Sequence, residues 1–420
     1  MEKLAIIGTG IAGMGAAWFL KDKFEITVFE KNNYVGGHTN TVTVNEDGTD
    51  VFIDTGFMVF NKVTYPNLIK LFDKLEVPIK KTDMSFSVQH CESRLEYCGS
   101  GINGLFAQRK NIFNLQYIKM IFSINRFNKE CLEVLNDTSY KDYSLEKYVH
   151  EKGYGKDFLY KYLIPMSSAV WSTPPDLMLK FPASALIQFF YNHGFLGLDT
   201  QHQWYTVING SQSYRDRIIA GYKSNIHTSN AAKSISRVNG RVIVETIDGT
   251  EHCFDKVILA SHADESLSLL KDATESERKL LSPFKYQYNS AILHTDSSVM
   301  PKNKKVWSSW NYRIETHEGI EKTSTIYYMN SLQQVSKKKD YFVSINNSGV
   351  IDESKILKKI DYDHPLFDLN AMQAQDRLNE LNIQGNGTFF CGSYFKYGFH
   401  EDAFTSAVVL SKQLDDTIKW

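Results

Sequence analysis

Leu4 to Ile7 form a short continuous apolar run behind a single lysine. Continuity, as opposed to alternation, is what a strand covered on both faces of a parallel sheet requires. The next stretch, IAGMGAAWFL from Ile11 to Leu20, carries small residues and a helical apolar face, so it predicts a helix packed on that strand. EITVFE, residues 25–30, predicts a second buried strand that ends in an acid. Together they make a β-α-β unit. Farther along, DVFIDTGFMVF (50–60) is strand-like, and VNGRVIVETIDGTEHCFDKVILAS (238–261) sets Asn-Gly and Asp-Gly turns between alternating runs, as hairpins do. Its last part, DKVILAS, is another buried apolar strand. DAFTSAVVLSKQL (402–414) predicts a helix near Trp420.

At 420 residues the chain calls for two domains, or one large domain with an insertion. Lys and Arg number 47 against 48 Asp and Glu, so no global field draws nucleic acid. The five cysteines, Cys91, Cys98, Cys131, Cys253 and Cys391, are scattered without a C-x-x-C pair, which indicates neither a disulfide framework nor a metal site. A reducing cytoplasm is the expected compartment. The first apolar run begins too early to leave room for a signal peptide, and no run of about twenty apolar residues predicts a membrane span.

The turn of the β-α-β unit carries G-x-G-x-x-G as Gly8, Gly10 and Gly13. Gly8 permits the tight turn, Gly10 lets backbone approach a pyrophosphate, and Gly13 allows close helix packing. Free N–H groups at the helix start attract phosphate. Glu30, seventeen residues after Gly13, is placed to accept hydrogen bonds from ribose hydroxyls. Six residues later comes GGHTNT, Gly36 to Thr41, followed by Asp54 and Gly56. A second glycine pair brings more backbone against the same ligand and favours FAD over a nicotinamide cofactor.

These motifs resemble those of the flavin-containing amine oxidase superfamily. TFFCGSYFKYGFHEDAFTSA (388–407) is similar to that family's closing motif, a strand ending at a glycine (Gly392) followed by G-x-x-E-x-A (Gly398 to Ala403) at the start of the last helix. The resemblance implies a Rossmann-like α/β FAD-binding domain with an interleaved α+β substrate domain. The FAD domain is expected to be discontinuous, over residues 1–75, 204–270 and 383–420, and the substrate domain to take the helices of 76–203 and the strands of 271–382. It further implies non-covalent FAD held by Gly8, Gly10, Ile11, Ala12, Gly13, Glu30, Lys31, Gly36, Gly37, His38, Thr39, Thr55, Gly56, Ala232, Gly392, Ser393, Phe399, His400, Glu401 and Ala403. In the family the last helix points its amino terminus at the flavin ring.

The chain departs from the family pattern at four places. His38 stands where an arginine is usual, Tyr394 where an acid is usual, and Asn209-Gly210 in place of a glycine pair. The lysine that amine oxidases hold near flavin N5 has no secure counterpart, and Lys302, Lys304 and Lys305 read as solvated loop charges. Strings such as IPMSSAVWSTPPDLMLKFPASALIQFFYNHG (164–194) and GFHEDAFTSA extend the resemblance to a bacterial branch of NAD/FAD-binding proteins that accompany cyclopropane fatty acid synthases. That branch implies a fatty acyl or other hydrophobic substrate, and a cyclopropane-synthase-like methyltransferase as a partner. A small-amine oxidase and a non-catalytic flavoprotein partner are the competing functions.

Flavin performs the difficult step, hydride transfer to N5, so few catalytic side chains are needed. Trp171, Trp310, Tyr328, Tyr397 and His400 are the candidates for the substrate side, each able to line an apolar pocket with a polar tip. His193 and His262 read as satisfied structural histidines. Residues 105–129 carry five Lys or Arg and no acid, with Ile112, Leu115, Ile118, Phe122 and Arg126 on one helical stripe. That segment reads either as a core-facing helix with a solvated basic edge or as a surface helix touching anionic lipid headgroups at the inner face of a membrane.

Overall fold

The computed structural model describes residues 1–197, 200–347 and 350–420. Its organising element is a five-stranded parallel sheet in the order Ile226–His227, Glu25–Phe29, Lys3–Ile7, Lys256–Leu259, Thr388–Phe390. The apolar runs identified in the sequence occupy its centre, where Leu4, Ala5, Ile6, Val257, Ile258 and Leu259 are all buried. Helix Ile11–Leu20 packs against the closing helix His400–Leu414. Two glycines set these distances. A side-chain carbon added at Gly13 would sit 2.0 Å from the Gly8 carbonyl oxygen, and one at Gly15 would sit 2.9 Å from the Phe404 ring.

Strands Ala232–Val238, Arg241–Thr246 and Glu251–Phe254 form a three-stranded antiparallel sheet. Asn239 and Gly240 both have positive φ (51° and 75°), the condition for a two-residue turn whose twist matches the flanking strands.

A seven-stranded mixed sheet runs in the order Ile356–Leu366, Lys285–His294, Phe342–Ile345, Ile320–Tyr328, Trp310–His317, Phe86–His90, Leu95–Cys98. Phe86–His90 lies parallel to Trp310–His317, more than 220 residues away in sequence, so two distant stretches of chain share one sheet. This corrects the expectation that residues 76–203 are helical. Ile79–Thr82, Phe86–His90 and Leu95–Cys98 are strands, and Ile79–Thr82 pairs with Trp204–Val207. Phe86–His90 and Leu95–Cys98 pair as a local hairpin, and the distant partners Trp310–His317 and Trp204–Val207 bring that hairpin and Ile79–Thr82 into larger sheets.

Helix Leu115–Glu130 buries Tyr117, Met120 and Phe127. Leu115 and Phe122, from the stripe noted in the sequence, are 77% and 69% exposed, so that stripe faces away from the core. All five cysteines are free. No helix among the described residues is long and apolar enough to cross a membrane.

Candidate active site

A cavity of about 810 Å³ opens where the first turn, the second glycine loop, the closing helix and strand Ile356–Leu366 meet. Chain reversals pack backbone against backbone on one side of it. Gly8 has φ +99° and Gly37 φ +56°, and a carbon added at Gly37 would lie 3.3 Å from the Gly10 α-carbon. Gly56 is tighter still, since a carbon there would fall 2.3 Å from the His38 carbonyl oxygen. Gly10 is different. It lines the cavity with ordinary φ of −59°, and no protein atom lies within 4 Å of where its side chain would project.

Glu30, at the tip of the second strand, is 4% exposed and lines the same side. Its Oε2 accepts from the Thr9 backbone N–H at 2.9 Å and the Thr9 hydroxyl at 2.5 Å, and its Oε1 accepts from the Asn32 N–H at 2.8 Å. Those bonds fix the carboxylate at the cavity wall. Lys31 beside it pairs with Glu265 at 2.5 Å.

Four histidines line the cavity: His38, His262, His364 and His400. His38 stacks on Tyr362 at 4.6 Å and lies 5.1 Å from His364, while His262 stacks on Tyr286 at 4.2 Å. Burial holds His38 well below the usual imidazole pKa, with the neighbouring histidines adding to the effect. Desolvation likewise takes His364 down to about 4 and His400 to about 3. His38, His364 and His400 are therefore neutral at pH 7. His400 stacks on Phe57 at 3.9 Å, and its Nε2 lies 2.5 Å from the Tyr214 hydroxyl, which in turn lies 2.5 Å from Thr39 Oγ1.

The closing helix directs its amino terminus at the cavity through Phe399, His400 and Ala403. Two buried carboxylates occupy its first turn. Asp402 accepts from the Phe399 N–H at 3.0 Å and the Tyr397 N–H at 3.2 Å, and burial raises its pKa to about 7. Glu401, also raised by burial, accepts from the Asn67 and Leu68 N–H groups at 2.9 and 2.8 Å and so caps helix Pro66–Lys74.

The remaining wall is aromatic. Trp171 lies 4.7 Å from Phe189 and 5.8 Å from Phe399, and Phe189 stacks on Phe399 at 4.8 Å. Phe195, Trp204 and Tyr65 continue the group, and Trp310 meets Tyr327 edge-on at 5.5 Å.

Of the residues singled out in the sequence, Gly8, Gly10, Ile11, Ala12, Glu30, Lys31, Gly37, His38, Gly56, Ala232, Gly392, Ser393, Phe399, His400, Ala403, Trp171 and Trp310 line the cavity. The others stand behind it. Gly13 and Gly36 serve close packing, Thr39 holds Tyr214, and Thr55 bonds the Tyr362 hydroxyl at 2.9 Å. Glu401 is the cap just described, and Tyr397 contributes its carbonyl, which accepts from Trp171 Nε1 at 3.2 Å. Tyr328 lies away from the site: its hydroxyl donates to Asp340 at 2.7 Å and its ring stacks on Phe342. Strand alternation turns Tyr327 inward in its place. His262, read as structural, lines the cavity, whereas His193 is buried against the Phe189 carbonyl at 2.9 Å. Lys302, Lys304 and Lys305 are exposed and outside the lining.

Sequence reasoning missed Tyr214, Tyr362 and His364. Tyr362 and His364 carried a usable signal, since they are two apart on a strand and so share a face.

A family model described as flavin containing amine oxidoreductase matches residues 11–330. The chain belongs to that family. Among curated relatives, a 1-hydroxycarotenoid 3,4-desaturase from Flavobacterium sp. (strain P99-3) is 39% identical over 82 residues, a match spanning 18% of this chain and 15% of that protein. Solved structures with the same fold include a CLA-producing fatty acid isomerase from P. acnes, with a TM-score of 0.68 at 14% identity over 99% of both chains. Another is a putrescine oxidase bound to putrescine, with a TM-score of 0.69 at 11% identity over 98% of both. A cyclohexylamine oxidase from Brevibacterium oxydans IH-35A gives 0.64 at 12% identity over 99% of both.

As a member of the flavin containing amine oxidoreductases, the protein is an FAD-dependent oxidoreductase. Its cavity fits that cofactor on its own evidence. Open space waits beyond Gly10, and three buried nitrogens on lining residues, His38 Nε2, Trp204 Nε1 and Trp310 Nε1, have no protein partner. Buried polar groups without partners are rare and call for an absent ligand or water.

Proposed function

We propose that the protein oxidises or desaturates a hydrophobic substrate, a fatty acyl chain or related lipid. One observation carries this reading: the wall formed by Val170, Trp171, Phe189, Phe195, Trp204 and Phe399 is apolar, and none of the cavity's carboxylates belongs to it. Glu265 and Asp363 act on Lys31, Glu30 is held by Thr9 and Asn32, and Asp361 accepts from the Tyr288 hydroxyl at 2.6 Å. A cationic amine would find no fixed countercharge against this wall, whereas an alkyl or polyene chain would be desolvated by it. The names of the desaturase and the fatty acid isomerase agree with such a substrate, as does the resemblance to the branch that accompanies cyclopropane fatty acid synthases.

The protein's own residues have clear tasks in this reading. Gly8, Gly10 and Ile11 at the helix start, with Glu30, would hold the dinucleotide half of the cofactor. The amino terminus of the closing helix and neutral His400 would face its ring half, and the helix dipole favours negative charge there. Bound FAD supplies the redox chemistry, accepting hydride from a substrate C–H or N–H bond. The aromatic wall positions the chain and excludes water.

The test is anaerobic bleaching of the purified yellow protein across a panel of fatty acyl esters, phospholipid extract and primary amines. Bleaching by lipids and not amines is expected. Bleaching by amines alone overturns the reading in favour of an amine oxidase. Bleaching by neither favours a flavoprotein that assists a lipid methyltransferase without turnover.

A further inference from the structure

A second feature stands apart from the cofactor cavity. Between Glu96 and Glu130 the chain contains no acid and five basic residues. In this stretch Phe113, Leu115 and Phe122 are 88%, 77% and 69% exposed, an unusual amount of large apolar surface for one short segment. Along helix Leu115–Glu130 the outward positions 115, 119, 122, 126 and 129 read Leu, Lys, Phe, Arg, Lys. This spacing keeps them on one face that mixes two large apolar and three basic side chains, of which Arg126 turns back onto Tyr154 and Glu130. Arg109, Lys110, Lys119 and Lys129 have no ion-pair partner among the described residues, and nor does Arg94 close by. Lysine and arginine stems can lie along an apolar layer while their charged ends reach outward.

Behind the same edge is a polar cavity of about 300 Å³ whose lining includes Arg94, Lys110, Asn114, Gln116 and Lys161. Of its cations, Lys161 is committed to Asp157 at 2.8 Å, which leaves Arg94 and Lys110 free to meet an anion.

We infer that this face docks on an anionic phospholipid bilayer, with Phe113, Leu115 and Phe122 entering the acyl boundary and Arg94 and Lys110 receiving a headgroup phosphate. Uncompensated positive charge beside exposed aromatic and aliphatic side chains is the complement of an anionic lipid surface. The position is informative as well. The buried face of the helix, Tyr117 and Met120, packs in one core cluster with Ala169 and, at its edge, Trp310. Trp310 and Val170, the residue after Ala169, line the large cavity. One core cluster therefore joins the helix of the docking face to residues at the cavity. The docking itself does not depend on that assignment.

The experiment is flotation of the full-length, FAD-loaded protein with vesicles of phosphatidylcholine alone or phosphatidylcholine with phosphatidylglycerol, at low and high salt. Co-flotation with the anionic vesicles only, weakened by salt, is expected. The triple variant Phe113→Ser, Leu115→Ser, Phe122→Ser should lose at least tenfold in the bound fraction, as should the separate double variant Arg94→Gln, Lys110→Gln. Both should keep the wild-type flavin spectrum and circular dichroism, because these side chains are outside the core and the cofactor cavity. Absence of binding to anionic vesicles, or equal binding by wild type and both variants, overturns the inference. So does self-association that the triple variant abolishes without any vesicle binding, which would assign the patch to a second copy of the chain.

Discussion

The Tyr214 hydroxyl lies within 2.5 Å of both His400 Nε2 and Thr39 Oγ1, joining a helix, the second glycine loop and the amino terminus of the closing helix at the cavity wall. Because His400 is held neutral, a hydroxyl that donates to Nε2 leaves the ring proton on Nδ1. The one imidazole at the helix start is thus tied to a residue that never reaches the cavity.

Tyr214→Phe removes that hydrogen-bond partner while keeping the ring, which packs 5.1 Å from Phe72. A buried nitrogen left without its partner costs about 1–3 kcal/mol, so thermal unfolding should shift accordingly. FAD occupancy should stay near wild type, but anaerobic flavin reduction should slow by roughly tenfold, the effect of about 1.4 kcal/mol on a barrier. Stopped-flow reduction of the variant at saturating substrate measures it. An unchanged rate would reduce Tyr214 to a packing residue.

Gly10→Ala and Gly13→Ala separate ligand space from protein space. The carbon added at Gly10 meets no protein atom, so this variant should fold with a Tm close to that of the FAD-free wild type and bind FAD at least tenfold more weakly. At Gly13 the carbon would sit 2.0 Å from a backbone oxygen, and the strand and helix must separate. A loss of stability of several kcal/mol, or failure to fold, is expected there. Calorimetry of both FAD-free proteins, followed by flavin titration, distinguishes the two.

That contrast also shows how much of the molecule the sequence made legible. The first β-α-β unit, the Asn-Gly and Asp-Gly hairpins and the last helix were readable because each is encoded by local periodicity and turn chemistry. The motif glycines sit at the turn their spacing predicts, yet spacing does not tell which of them opens on the cavity: Gly10 does, and Gly13 faces the Gly8 carbonyl. Phe86–His90 forms a hairpin with Leu95–Cys98, but its place in the large sheet could not be foreseen, since its other partner begins at Trp310. Tyr214 escaped for a similar reason, its role coming from two residues 175 and 186 positions distant. Tyr328 was chosen by neighbourhood in sequence, and strand alternation gave the place to Tyr327.

Stability should depend on pH through groups of opposite sign. His193, His294 and His364, each near 4, and His400, near 3, are neutral in the fold but bind protons when unfolded, with an ordinary value of about 6.5. Their contribution is complete above pH 6.5 and is lost as pH falls toward 4, by up to about 1.4 kcal/mol per pH unit for each. Asp402 acts the other way. Its raised value, about 7 against an ordinary 3.8, means that the folded state loses stability as pH climbs from about 4 to 7. The histidines outnumber it, so Tm should fall on acidification below pH 6.5. Asp402→Asn, which resembles the protonated carboxyl and can still accept from the Phe399 N–H, should match wild type at pH 5 and exceed it at pH 8. Thermal melts of the two proteins at those pH values decide the point.

Trp171 offers a test of the apolar wall that keeps structure and substrate binding apart. Its indole N–H donates to the Tyr397 carbonyl, and its ring packs on Phe181, Phe189 and Phe399. Trp171→Ala removes both, at a cost of about 3–5 kcal/mol expected for a buried aromatic, and would confuse unfolding with lost binding. Trp171→Phe keeps an aromatic ring and forgoes the single hydrogen bond, for roughly 0.5–1.5 kcal/mol. If the wall grips an alkyl chain, the Phe variant should raise KM severalfold with kcat little changed, because a uniform binding contact has been trimmed. It should do so more for long acyl substrates than for short ones, since a longer chain covers more of the wall. Steady-state kinetics on a chain-length series would show it, and a KM independent of chain length in both proteins would remove Trp171 from the substrate's path.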